Sequence, residues 1–526
     1  MRIPVSPDSR NPSGSAVENV IIQSGSIILS LSVITLLLGL LVQVGLAAML
    51  GTGREMDAYL VAIGLPTFLT VVSLNVCNSA LVPLFKAQLH LPDSEIPRNT
   101  SRNIFMEFCL LSLLLVLAVF FLAGPIVRAM APGLDEPTFQ LAAGLLRIMI
   151  LGSFFDIQRG FLTAFFYARE RFFAPQVVPI LNHAILLLGL VFLFRPAGLP
   201  GIAWAWTFGS LAMFLPLLVP FLRETGVGKP PRGLTAGVWS VLLPTLIVVI
   251  LQQTTPLLDR LAASLLPSGS ISSLGYAGKI PEILMRTIPM AVGLASFPLL
   301  SQQALERDIS ALRSLSMFAI RSIILFSIPL AFFLFSMRLP LTVLLFQRGQ
   351  FDASASQSVS EILKWYAVAF IPGSILYPLA NVGFALRRPW KIAGLSFLGA
   401  CGTLFLNLAL VRILGPEGVA VSYLITTSAL AAIFILWLAG EMHTSPLLPE
   451  PAWIMKILGA SGLCLIVWLG IGFLIPAGES DAWNQAARLL LACAAGIVVY
   501  ISTLWVWGLP EIRGIGETIG RRLPGL

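Results

Sequence analysis

Apolar runs of about twenty residues recur along the whole chain, and no other feature limits the fold as strongly. A helix of ~20 apolar residues spans the ~30 Å hydrocarbon core of a bilayer. Fourteen stretches qualify: 21–50, 57–85, 104–127, 138–168, 174–194, 200–222, 235–265, 271–300, 317–337, 355–386, 391–412, 417–440, 453–475 and 485–508. Their length argues against a β-barrel, whose strands alternate apolar and polar residues with period two. Composition agrees. Of 526 residues, 57% are hydrophobic and 11% charged, against roughly 25% charged in soluble domains. No single soluble core grows large enough to hide so much apolar chain. The fold class is therefore an all-α integral membrane protein with about fourteen transmembrane helices. The polar start, 1–19, leads into about thirty apolar residues. That exceeds the ~7–15-residue apolar core of a signal peptide, so the first run reads as a retained helix.

Lys and Arg number 33 and Asp and Glu 25, a net charge of +8. No basic stripe is interleaved with exposed aromatics, so nucleic acid is not an expected partner. Cytoplasmic loops facing anionic membrane lipids account for the excess. With the N-terminus inside, the inside segments hold eighteen Lys and Arg and the outside segments seven. Both termini are thus expected in the cytoplasm. Cys77, Cys109, Cys401, Cys464 and Cys493 lie in apolar runs without a CxxC pair, and the three histidines are scattered. Neither a disulfide framework nor a zinc site is expected. The sequence has no GxxxxGK[ST], HExxH or GxSxG, and its loops reach only about twenty residues. An enzyme, an ATP-driven pump and a bound cofactor are not expected.

The chain also repeats. Tyr59 matches Tyr276, Pro66 matches Pro281, and ALVPL at 80–84 matches ASFPL at 295–299. Arg171 matches Arg388, and Gly201-Ile-Ala matches Gly418-Val-Ala. The offsets, in order, are 217, 215, 215, 217 and 217, the mark of a duplication of six helices. Six crossings return the chain to its starting side, so the repeats are parallel, a transporter architecture with its site between the halves. The expected division is a cytoplasmic tail at 1–20, an N-lobe at 21–225 and a C-lobe at 226–445. Two further helices follow at 446–510, then a cytoplasmic tail at 511–526.

A charge at mid-bilayer costs roughly 2.5–3.5 kcal/mol on insertion scales, so each needs a reason. Lys279, Glu282 and Arg286 are spaced by three and four and share one helix face. They form either a cationic stripe for an anionic head group or an ion-pair cluster between helices. Asp259 and Arg260 are adjacent and point about 100° apart. Asp259 is either an ion ligand or a counter-charge to Lys279, while Arg260 reads as approaching the outer interface. Asp156 and Arg159 are three apart and read as an intrahelical pair. Arg321, Lys364 and Lys456 lie near helix ends and are expected to snorkel.

Several segments together resemble the MurJ/MviN family of bacterial lipid II flippases. They are Asp57-Ala-Tyr-Leu-Val-Ala with Leu65-Pro66 and Ala80-Leu-Val-Pro83, and Leu265-Pro-Ser-Gly-Ser-Ile-Ser273 with Tyr276-Ala277. Leu345-Phe346-Gln-Arg348-Gly349-Gln-Phe351, Arg171-Phe-Phe-Ala-Pro175 and Phe384-Ala-Leu386 add to them. The resemblance runs in order over roughly 20–510. It implies two six-helix lobes plus two helices in the bacterial inner membrane. It also implies alternating-access transfer of a polyprenyl-diphosphate-linked glycan from the inner to the outer leaflet. By the same resemblance, Lys279 stands where the family has a cavity arginine, Glu282 matches the family's glutamate, and Asp57 matches the aspartate opening its second helix. Asp259, with Asn407 and Thr427, falls near the family's sodium site, which implies sodium or proton coupling.

The chain departs from the family at its first two helices. Family arginines in a pattern like SRxxGxxRD are replaced here by Thr35-Leu36-Leu-Leu-Gly39-Leu-Leu-Val42-Gln43, and an arginine pair in helix 2 by Thr70 and Val71. A diphosphate normally takes cationic partners when it leaves water. Lys279, Arg286 and Arg159 would have to compensate. Two rival readings follow. One is export of another lipid-linked polysaccharide precursor or an amphiphilic drug. The other is a transport-inactive scaffold for cell-envelope synthesis proteins.

Overall fold

The computed structural model describes residues 14–89, 100–225, 234–474, 482–509 and 511. Residues 1–13 of the expected tail at 1–20, residues 512–526 of the expected tail at 511–526, and the loop charges Arg98, Lys229 and Arg232 lie outside the described residues. Seventeen helices are found among the described residues, with no strand. They are α1 Gly14–Leu50, α2 Arg54–Leu89, α3 Thr100–Phe121, α4 Ala123–Met130, α5 Glu136–Ala168 and α6 Phe173–Phe192. Then come α7 Phe194–Glu224, α8 Leu234–Gln253, α9 Thr255–Ala263, α10 Ser270–Glu306, α11 Ile309–Ser336 and α12 Arg338–Phe346. The last five are α13 Ala353–Ala385, α14 Pro389–Leu414, α15 Pro416–Met442, α16 Pro451–Leu474 and α17 Ala482–Val506.

Among the described residues, thirteen spans are long and apolar enough to cross a membrane. The remaining expected span, 271–300, lies within α10, a helix of 37 residues that carries Lys279, Glu282 and Arg286. Two expected helices are broken, as α3 ends before α4 and α8 before α9, and a short α12 restarts after α11, beyond the expected 317–337. Each of these junctions falls two or three residues before a proline, Pro125, Pro256 or Pro340. Proline is tolerated in a first turn but disfavours helix in the residue before it. Pro66, Pro244, Pro281 and Pro372 lie inside continuous helices, where a proline removes one backbone hydrogen bond.

Two compact units are present. One comprises Met1–Gly45, Leu65–Ala123 and Gly144–Leu246. Its core includes the rings of Phe85, Phe105, Phe161, Phe165 and Phe221, with neighbouring centroids 4.8–6.1 Å apart. Asp156 and Arg159 are buried in this unit and pair at 3.3 Å, and the Ser210 hydroxyl donates to the second Asp156 oxygen at 2.9 Å. The other unit comprises Leu46–Gly64, Gly124–Ala143 and Ile247–Leu526. One of its cores gathers apolar residues of α10, α11, α13, α15, α16 and α17, among them Leu312, Leu379, Leu438, Ile457 and Leu504.

Local geometry repeats at the offset read from the sequence. Gly198 and Gly415 share one unusual conformation, φ 59° and ψ −146° against φ 60° and ψ −141°. Glu170 and Arg387 both have positive φ, 59° and 57°. Arg171 pairs with Glu224, and Arg388 pairs with Glu441. Asp135 stands before α5 and accepts from the Thr138 hydroxyl, and Asp352 stands before α13 and accepts from the Ala355 N–H. Arg321, Lys364 and Lys456, expected only to snorkel, have partners. Arg321 meets Glu450, Lys364 meets Glu361 and Glu417, and Lys456 donates to the Trp507 carbonyl.

Candidate functional site

All seven candidate residues fall in the second unit. Helix α9 starts afresh after Gln253 with Pro256 in its first turn, a position where a missing N–H costs nothing. The restart places Asp259 so that its Oδ1 accepts from Asn407 Nδ2 at 2.9 Å. Asn407, on α14, is fully buried, and its own Oδ1 has no hydrogen-bond partner. Thr427, on α15, is buried too, and its hydroxyl donates to the Tyr423 and Leu424 carbonyls of its own helix. Asp259 and Asn407 are therefore brought together, while Thr427 is bonded within α15.

Helix α10 carries the second group. Lys279 Nζ lies 3.2 Å from Glu282 Oε2, with the side chains 29% and 43% exposed. The Arg286 side chain lies outside the described residues. Arg260, expected at the outer interface, instead packs over Gly64, where an added Cβ would sit 2.1 Å from its Nη1. It lies within electrostatic reach of Glu282.

Asp57 organises the start of α10. Its Oδ2 accepts from Gly269 N at 2.6 Å and its Oδ1 from Ser272 N at 2.7 Å. A carboxylate at a helix N-terminus satisfies orphan N–H groups and complements the helix dipole. Gly269 has φ 93°, and a Cβ there would come within 2.9 Å of the Thr52 carbonyl oxygen. Glycine alone fits both conditions. A cavity of about 170 Å³ adjoins, lined by Arg54, Asp57, Asp135, Thr138 and Ser264 among others. The outer-loop motif is seated on the end of α1, with Gln350 N donating to the Ala48 carbonyl at 2.9 Å.

A family model described as lipid II flippase MurJ matches residues 46–491. The chain belongs to the MurJ family of lipid II flippases. The lipid II flippase MurJ of Burkholderia cenocepacia is 27% identical over 493 residues, covering 88% of this chain and 93% of that protein. A probable lipid II flippase MurJ of Rhizobium meliloti is 26% identical over 521 residues, covering 92% and 94%. Among solved structures, a lipid II flippase MurJ in an inward closed conformation superposes with a TM-score of 0.77 at 21% identity, covering 91% of this chain and 98% of its own. An inward-facing MATE family transporter of the MOP superfamily gives 0.64 at 15% identity, covering 79% and 98%. These structural likenesses show a shared fold.

For a MurJ family member, two tyrosines near the site escaped sequence reading. Tyr366 and Tyr423 place their ring centroids 5.8 Å apart, and both lie within electrostatic reach of Asp259. Tyrosines in apolar runs look like packing residues, so neither carried a signal. Arg260 did carry one. Gly64 is the small residue that makes room for it, but 196 positions of sequence hide the pairing. Among the described residues no cluster of three His, Cys, Asp or Glu could hold a metal ion.

Proposed function

We propose that this protein moves a polyprenyl-diphosphate-linked glycan, lipid II first among them, from the inner to the outer leaflet of the bacterial inner membrane. The observation that carries the reading is the family match over 46–491. In this reading 21–225 and 226–445 act as two lobes that alternate access, helices at 446–510 flank them, and both termini are cytoplasmic. Lys279 meets the diphosphate, Arg286 assists, and Glu282 orients Lys279 or releases it between states. The half-exposed Lys279–Glu282 pair supports this, because a charge kept partly open in a helix stays available to a ligand. Asp57 acts at the outer gate, where its two bonds to the start of α10 would be made and broken.

Coupling to a cation belongs to the same proposal. A hard ion such as sodium takes oxygen ligands. The Asp259 carboxylate and the buried, unpartnered Asn407 Oδ1 fit that need, and Thr427 of α15 completes the set in this reading. One observation favours a different glycan. Arg159, a candidate replacement for the missing arginines, is paired with Asp156 and only 7% exposed. Its charge is already matched.

Complementation tests the reading. The chain is expressed in a bacterium depleted of its own lipid II flippase, with membrane insertion verified. Rescue that is lost in Lys279→Ala is the expected result. Failure of the well-expressed wild type would move the assignment to another lipid-linked glycan or to a scaffold for envelope-synthesis proteins. Such a scaffold would tolerate Lys279→Ala and fail on surface-loop substitutions.

A further inference from the structure

We propose a second ligand site at the ends of α11, α16 and α17: a pocket for the head group of a glycerophospholipid bearing a primary amine. It shares no residue with the candidate transport site. A cavity of about 340 Å³ is lined by Ser310, Arg313, Met317, Phe318 and Arg321 of α11, together with Glu511. The α11 residues recur at spacings of three and four and so form one helix face. The cavity suits a head group rather than single waters.

Its walls are held in place. The Arg313 guanidinium donates to the Ser445 hydroxyl at 2.7 Å. Arg321 lies 3.6 Å from the exposed Glu450 carboxylate and 5.6 Å from the Trp453 ring. Trp453 Nε1 donates to Glu511 Oε1 at 3.0 Å. Asp308, nearby, bonds Ser310 and Ala311, which holds its carboxyl below the usual range.

Three polar atoms of the lining residues remain without partners although buried: Arg313 Nε, Arg321 Nε and Glu511 Oε2. Buried polar groups are normally satisfied, and each exception calls for an explanation. Two are cationic donors and one is an anionic acceptor. A phosphodiester brings two unesterified acceptor oxygens, and a primary ammonium brings N–H donors. Phosphatidylethanolamine carries both on one head group. Phosphatidylcholine has no N–H for Glu511, and phosphatidylglycerol has no cation. Phe318 is 62% exposed beside the arginines and offers a surface to an acyl chain, which favours a lipid over a soluble phosphodiester.

Native mass spectrometry of the purified full-length protein tests the site. The probes are phosphatidylethanolamine, phosphatidylcholine and phosphatidylglycerol of matched chains, and soluble glycerophosphoethanolamine. Loss of one charge-assisted bond corresponds to about ten-fold in affinity, so phosphatidylethanolamine should be retained about ten-fold over the other lipids. Glu511→Gln should erase that preference, since the amide still accepts from Trp453 but lacks the charge. Arg313→Gln should weaken all three lipids and carries the test if Glu511→Gln fails to fold. Equal retention of the three lipids by the wild type, or an unchanged preference in both variants, overturns the proposal. Displacement of the lipid by equimolar glycerophosphoethanolamine overturns the lipid assignment.

Discussion

At the residue scale, Asp57 ties together two segments far apart in the chain. It is 3% exposed and accepts two backbone N–H groups from a segment more than two hundred positions away. Removing it leaves two buried donors unpaired, each costing about 1–3 kcal/mol. Asp57→Ala should therefore destabilise the purified protein by about 2–6 kcal/mol in denaturant unfolding, and Asp57→Asn by less. The Asp259–Asn407 contact makes a second prediction. Substituting either residue by Ala should lower stability, and the double variant should fall short of the sum by about 1 kcal/mol. Additive losses would show that the bond is not formed. Neither pairing was legible in the sequence from spacing. Asp57 and Asn407 were singled out only through the family resemblance, because a contact across 148 or 212 positions leaves no periodic trace.

At the scale of elements, most of the fold was legible because helix length in a bilayer is set by hydrocarbon thickness. The breaks were not. A proline inside an apolar run reads equally as a kink, as at Pro281, or as the first turn of a new helix, as at Pro256. Only packing decides between them. The duplication was legible, and it reaches finer detail than the five matches in sequence. Gly201 sits against the Leu193 carbonyl and Gly418 against the Leu410 carbonyl, so that an added Cβ would lie 2.7 and 2.4 Å from those oxygens. The contacting residues are again 217 positions apart. Backbone cannot yield as a flexible side chain would. Gly201→Ala and Gly418→Ala should each cost about 1–3 kcal/mol, as overpacking does, and by similar amounts. Thermal unfolding of the two variants side by side is the check. A neutral result at one site would show that the two copies have diverged in packing there.

At the scale of the whole molecule, the decisive question is why Lys279 and Glu282 are kept on a helix built largely of apolar residues. An intrahelical pair this exposed is worth little, about 0.3–0.5 kcal/mol. Stability alone does not account for two charges on such a helix. The double swap Lys279→Glu with Glu282→Lys separates the possibilities. It preserves composition, net charge and the i, i+3 pairing, so the protein should fold and insert as before. It moves the cation by three residues, about 4.5 Å along the helix axis and about 60° around it. A diphosphate held by a positioned ammonium does not tolerate that displacement. Transport by the swapped protein should be lost, whereas Lys279→Arg, which keeps a cation at the position, should retain most of it. Complementation with quantified membrane levels reads both. If the swapped protein supports growth as well as the wild type, the pair serves only α10, and the substrate charge is met elsewhere. With Arg159 tied to Asp156 and the first two helices lacking the family's arginines, Arg260 would be the next cation to replace.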